Sequence, residues 1–227
     1  MSALSYCDLP EAAAQAPAAA TACDLCGAFA TATAAPRSPF APGELLFRQG
    51  DAVRLVYRLL KGAVISYRLL SDGRRQVTGF HLPGDFLGLE AGVEHATTTE
   101  ALSRVDALAM ERTELAGRAA TDVGLARALW QVTVGAFRRS EDHALILARQ
   151  GATERVAAFL LDFDDRMGRP TIIDLPMTRQ DIADHVGLTI HTVSRTLSHL
   201  QAQGMVEARS SRHVRLLQRH RLEGLCA

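Results

Sequence analysis

Met177-Thr-Arg-Gln-Asp-Ile-Ala-Asp-His-Val-Gly-Leu-Thr-Ile-His-Thr-Val-Ser-Arg-Thr-Leu-Ser-His-Leu-Gln-Ala-Gln-Gly-Met-Val206 carries the pattern of two short helices hinged at Gly187. Thr178, followed three residues later by Asp181, can cap two unpaired backbone donors reciprocally. Ile182, Ala183 and Val186 give this first helix an apolar side. Gly187 falls where the chain must reverse, a place where a residue without a Cβ adopts positive φ at little steric cost. Thr189 can cap the second helix. There Ile190, Val193, Leu197 and Leu200 recur at spacings of three, four and three, predicting one inward face. The opposite face carries His191, Ser194, Arg195 and Ser198. A helix packed on a core would account for the apolar half alone. The capped helix, the hinge glycine and the outward Arg together point to a helix-turn-helix, and so to DNA.

The residues that follow extend this reading. Gly204 ends the second helix, and Met205 to Arg209 with Arg212 to Leu216 alternates as a β-hairpin around Ser210-Ser211, a wing with basic side chains. Between Met177 and Arg221 stand seven Arg (179, 195, 209, 212, 215, 219, 221) against three acids (181, 184, 207). The whole chain balances 25 basic against 25 acidic residues, so its positive charge is localised rather than general. A basic surface beside a helix-turn-helix suits phosphate neutralisation, the main source of non-specific DNA affinity.

With 227 residues, 48% of them hydrophobic, the chain has room for two modest cores. Four segments are expected: a flexible Ala-rich tail (1–37), a β-roll (38–120), a long helix (121–150) and a winged helix-turn-helix (151–227). Residues 1–36 hold fourteen Ala, three Pro and no Lys or Arg, which predicts a loosely ordered tail. No apolar run reaches the roughly 18 residues that span a bilayer, and no basic residue precedes an apolar core at the start. A cytoplasmic location without a membrane partner is expected. From Pro39 onward, Gly43, Gly50, Gly62, Gly73, Gly79, Gly84, Gly88 and Gly92 punctuate short apolar runs, predicting strands and tight turns.

From Asp122 to Gln150 there is no Pro, and Leu125, Leu129, Val132 and Ala136 step by four, three and four before His143 and Ile146 resume the stripe. A helix this long spans about 40 Å. Its stripe either covers the chain's own roll or forms a parallel seam with a second copy. The seam is the expected use, because two half-sites about one helical turn apart match a two-fold dimer.

A glycine-punctuated roll, a long connecting helix and a C-terminal winged helix-turn-helix together resemble the CRP/FNR family of bacterial transcription regulators. The likeness covers about Pro39 to Leu217. Gly79-Phe80-His81-Leu82-Pro83-Gly84-Asp85-Phe86-Leu87-Gly88-Leu89 and Leu188-Thr189-Ile190-His191-Thr192-Val193-Ser194-Arg195 look like its FNR and FixK branch. The resemblance implies an α+β chain with a cyclic-nucleotide-binding-like roll. It also implies a homodimer on a palindromic double-stranded DNA site, contact with RNA polymerase, and control of low-oxygen, nitrogen-fixation or nitrogen-oxide genes.

Two departures from that pattern matter. Members that grip cyclic AMP hold its phosphate with an Arg and a hydroxyl residue, whereas Asp85 to Ser103 contains no Lys or Arg, so a cyclic nucleotide is not expected. FNR itself holds a four-iron cluster, which the FixK branch usually lacks, with three cysteines near the N-terminus and one in the roll. Here Cys7, Cys23 and Cys26 precede the roll, which has none, and Cys226 lies at the far end. No cofactor is therefore expected, although Cys23-Asp24-Leu25-Cys26 has a chelating spacing that, with Cys7 as a third ligand, leaves a redox or iron-sulfur role open. Haem ligation by His81 or His95, or a small molecule sensed in a pocket of the β-roll, is the other alternative, and no hydrolase, metalloprotease or phosphate-loop motif suggests an enzyme.

For DNA readout, the fork of Arg195 suits guanine O6 and N7. Ser194 can reach a base edge or phosphate, and His191 stands where most relatives place Glu. Thr178, Arg179, Thr189, Thr192, Ser198, Arg209 and Arg212 complete the expected contact set, with phosphate contacts assigned to Thr178, Arg179, Arg209 and Arg212.

Overall fold

The computed structural model describes Leu25, Gly27, Phe29 and residues 37–226. Eight strands build the roll: β1 (Arg37–Phe40), β2 (Leu45–Phe47), β3 (Leu55–Lys61), β4 (Val64–Leu69), β5 (Arg75–His81), β6 (Phe86–Leu87), β7 (Thr98–Ala101) and β8 (Val105–Glu111). They form two antiparallel four-stranded sheets, ordered β1-β8-β3-β6 and β2-β7-β4-β5. Alternating inward residues Phe47, Tyr57, Leu59, Val64, Leu87, Val105, Ala107 and Ala109 fill the space between them. Gly88 lets β6 cross close to β3, since a Cβ there would lie 2.3 Å from the Leu55 carbonyl oxygen.

Helix α1 (Arg112–Thr121) leads into α2 (Val123–Ala148), whose Asp122 cap accepts from Leu125 N at 3.0 Å. At 26 residues, α2 is about 39 Å long. After a turn, α3 (Ala152–Arg166) is followed by β9 (Ile173–Asp174), α4 (Arg179–Val186), α5 (Ile190–Ala202), β10 (Val206–Ala208), β11 (His213–Leu216) and α6 (Arg219–Leu225). The sheet β10-β11-β9 is the wing. Among the described residues, no helix is long and apolar enough to cross a membrane.

The expected tail needs one correction. Leu25 and Phe29 are helical and fully buried, packing with Val56, Met110, Leu115, Leu125 and Ala128, and Phe29 meets Phe86 at 5.6 Å. Four residues apart, they share one helical face and fill the groove between β8 and α2. The rest of residues 1–36, with Cys7, Cys23 and Cys26, lies outside the described residues.

The C-terminal half docks on the roll through one continuous core. Ile65, Val77 and Phe80 of the roll pack with Phe159 and Phe163 of α3 and with Ile182 and Val186 of α4. His185 sits at the centre, 5.1 Å from Phe80 and stacked on His143 of α2 at 4.0 Å. Its Nδ1 donates to the Val77 carbonyl at 3.3 Å, and His143 Nε2 donates to the His185 carbonyl at 2.8 Å.

Burial above all, with the neighbouring His143 and Arg166 adding to it, pushes the His185 pKa down to about 3. Burial also lowers His81, which hydrogen-bonds Ser66 Oγ at 2.9 Å. Both imidazoles fold neutral but take up protons on unfolding below an ordinary pKa of about 6.5. Their contribution is therefore complete above about pH 6.5 and is lost as pH falls towards 3. Urea midpoints should decline over that window, and His185→Phe, which keeps the stacking but cannot protonate, should make the decline shallower.

Candidate DNA interface

The capping box predicted for α4 is complete. Thr178 Oγ1 accepts from Asp181 N at 3.1 Å, while Asp181 Oδ2 accepts from Thr178 N at 2.8 Å. Gly187 ends the helix at φ 65° and ψ 42°, the left-handed conformation expected of the hinge. Thr189 Oγ1 then caps α5 by accepting from Thr192 N at 3.2 Å.

Helix α5 buries Val193, Thr196, Leu197 and Leu200 and exposes His191, Ser194, Arg195 and Ser198. Ile190 departs from the expected inward stripe, being 38% exposed. It is the first residue of the helix, ahead of the turn that meets the core, and Thr196 joins the buried face instead. Thr189 and Thr192 share a hydroxyl contact at 2.9 Å, and Ser198 Oγ donates to the Ser194 carbonyl at 3.1 Å. These hydroxyls shape the helix. Arg195 and His191 hydrogen-bond no protein group among the described residues, so their donors and acceptors face outward.

Arg179 is partly buried, and its Nη1 has no hydrogen-bond partner among the described residues. Burial lowers its pKa. A guanidinium stays protonated in such a setting. The N-terminus of α4 adds partial positive charge beside it.

At the wing tip Ser210 Oγ accepts from Arg212 N at 3.1 Å and His213 N at 3.0 Å, fixing the turn that presents Arg212. Arg209 is exposed and paired with Glu207 at 3.3 Å. Two more of the seven arginines bind groups of their own chain. Arg219 binds Asp164 and Asp165, tying α6 to α3, and Arg221 donates to the Gln203 carbonyl at 3.3 Å and Gln218 Oε1 at 2.9 Å. Arg195, Arg209, Arg212 and Arg221 are exposed, and Arg179 and Arg215 are partly so.

The stripe assigned to dimerisation divides differently from the expectation. Leu125 and Ile146 are buried in the chain's own cores, Leu129 and Val132 pack against the roll, and His143 is held by His185. These five already have partners within the chain, with Leu129, Val132 and His143 half-buried. Of the expected stripe, Ala136 alone is exposed. The apolar residues that α2 turns outward are Val123, Trp130, Phe137 and Leu145, at 77%, 70%, 63% and 62% exposure. Spacing of exactly-seven type would have marked the first three, but a helix with two apolar faces does not announce which one meets its own domain.

A cavity of about 520 Å³ lies between roll and α2, bounded by Phe47, Ser66, His81, Glu90, Thr97 and Phe137 among others. No Lys or Arg lines it, and Glu90 Oε2 is buried without a partner. A cyclic phosphodiester does not fit such walls, because it would meet a carboxylate where it needs a cation. His95 is likewise engaged, stacked on Phe47 at 3.7 Å with Nδ1 3.2 Å from Glu90 Oε1. Among the described residues no three His, Cys, Asp or Glu side chains cluster as metal ligands.

The model for the Crp-like helix-turn-helix domain matches residues 154–225, and that for the cyclic nucleotide-binding domain matches residues 37–122. The nitrogen fixation regulation protein FixK of Rhizobium meliloti (strain 1021) is 40% identical over 187 residues, covering 82% of this chain and 85% of the relative. The chain belongs to the CRP/FNR family of transcription regulators. Within that family it is of the FixK/FNR type. The fumarate and nitrate reduction regulatory protein of Escherichia coli (strain K12) is 32% identical over 75% of this chain and 70% of its own length. The solved structure of FixK2 from Bradyrhizobium japonicum superposes with a TM-score of 0.81 at 43% identity, covering 85% of this chain and 97% of that one. As in its relatives, the helix-turn-helix is a DNA-binding module.

Two substitutions separate the contact types. Arg195→Ala is expected to weaken binding at the preferred site by about 1–3 kcal/mol and relax one base preference, with random duplex much less affected. Arg212→Ala should weaken all duplexes alike and reduce the salt slope by about one. Titrations of both duplex types at several salt concentrations check the pair.

Proposed function

We propose that the protein acts in the cytoplasm as a homodimer that binds a palindromic promoter site and activates transcription through contact with RNA polymerase. Its target genes serve low-oxygen, nitrogen-fixation or nitrogen-oxide metabolism, a reading supported by the FixK relatives. The observation that carries the dimer is the apolar stripe that α2 leaves exposed among the described residues. Val123, Trp130 and Phe137 recur every seven residues and all face outward. A seven-residue repeat keeps one face towards a parallel partner, and apolar side chains of this size gain most when such a partner covers them.

Paired along that seam, two copies direct two α5 helices to the same side of a duplex, as two half-sites require. Arg195 and Ser194 then read base edges, with His191 donating or accepting according to its protonation. Arg179, Arg209, Arg212 and the capped end of α4 at Thr178 meet phosphates.

Phe137→Asp should convert a sedimenting dimer to monomer and weaken palindrome binding about 100-fold, the typical loss when two linked contacts become one. Trp130 is the chain's one Trp, so its emission should shift red in the same variant. A wild-type protein that sediments as a monomer at micromolar concentration, bound to DNA or not, would sink this reading.

A further inference from the structure

One planar side chain holds α4 from the roll side. Arg75 opens β5 and reaches across to the helix-turn-helix, its Nη2 donating to Asp181 Oδ1 and its Nε to Asp184 Oδ2, the latter at 3.0 Å. Its neighbour Gln76 donates through Nε2 to the Asp184 carbonyl at 2.8 Å. The guanidinium lies over the Tyr67 ring of β4, 5.2 Å from the centroid, so its plane is set from behind. Asp181 is also the carboxylate that closes the capping box with Thr178. Clamp and cap therefore share one group.

This grip is not what keeps the two halves together, because the apolar core around Phe80, Phe159 and Phe163 already does so. Apolar contact has no direction. A two-point guanidinium–carboxylate contact does have one, since it resists both rotation and sliding of α4 along β5. The roll is in turn one body with α2, through Val56, Met110, Leu115, Leu125 and Ala128. Besides the chain's own turn and α3, α4 meets α2 through the bond from His143 to the His185 carbonyl.

We propose that Arg75 is a positioning residue for DNA binding, setting the orientation of α4 and α5 relative to α2 and hence the half-site separation the protein accepts. The inference rests on the homodimer proposed above. Two recognition helices must match half-sites at a fixed spacing, so a small rotation at β5 becomes a displacement at the groove.

The test uses the full chain and the palindrome that the unsubstituted protein selects from a random duplex pool, with versions one or two base pairs longer or shorter at the centre. Arg75→Met keeps the stem and removes the fork, and Arg75→Lys keeps the charge at a single point. Arg75→Met should weaken binding to the best spacer about tenfold and change the others by less than about twofold, flattening the spacer profile. Arg75→Lys should fall between. A side chain that only stabilised the fold would lower binding to every duplex equally, so the ratio between spacers is the deciding quantity. An unchanged profile, or a uniform loss, overturns the role of Arg75 alone. A flat profile in the unsubstituted protein overturns the homodimer reading and this inference with it. Should Arg75→Met fail to fold, Asp184→Asn, which keeps the shape and the contact with Gln180, is judged by the same ratio.

Discussion

Phe80 meets His185, Phe159 and Phe163 where the roll touches the C-terminal half, with ring centroids 5.1 to 6.4 Å apart. Burying one such side chain stabilises by about 1.5–3 kcal/mol, whereas an exposed ion pair contributes about 0–1 kcal/mol. The aromatic joint therefore decides that roll, α2, α3 and α4 stay docked, and the polar groups around it decide how. His185 takes part only as a neutral ring, because its surroundings lower its affinity for a proton. The module that carries Arg195 thus hangs from a contact made mostly of hydrocarbon and two stacked imidazoles.

Charge is organised around that joint by position more than by amount. Arg166 donates to Asp85 and to the Phe80 carbonyl, and Arg219 braces α3 against α6, so these cations stitch elements together. Arg195 on α5 and Arg212 at the wing tip are exposed and bind no acid of the chain among the described residues. A chain with no net charge thus still presents free cations on its helix-turn-helix and wing. Inside the roll the logic reverses, since the cavity beside α2 is walled by rings, hydroxyls and the Glu90 carboxylate.

Local chemistry was the most legible part of the sequence. The Thr178–Asp181 cap, the left-handed Gly187, the Thr189 cap and the hairpin around Ser210 each depend on residues within a few positions of one another, and each stands as the residue types imply. Readings that required knowing what lay across a gap fared worse. The 125-129-132-136 stripe was identified as apolar, but periodicity carries no label for the neighbour, and the roll claimed most of it. Leu25 and Phe29 were hidden among alanines because their groove is made by β8 and α2, far along the chain. Arg75 gave no local signal at all, since its partners lie more than a hundred positions away.

The outward stripe of α2 also bears on how such a regulator responds to its own supply. In the proposed homodimer, a seam of a few apolar side chains, on a helix whose other face packs on its own chain, would place much of the cohesion in a narrow strip. If two copies pair as proposed and exchange is in reach of the working concentration, the concentration of dimer rises with the square of the free chain concentration, and mass action alone turns a modest rise in synthesis into a steeper rise in occupied sites. Abundance then becomes an input in its own right.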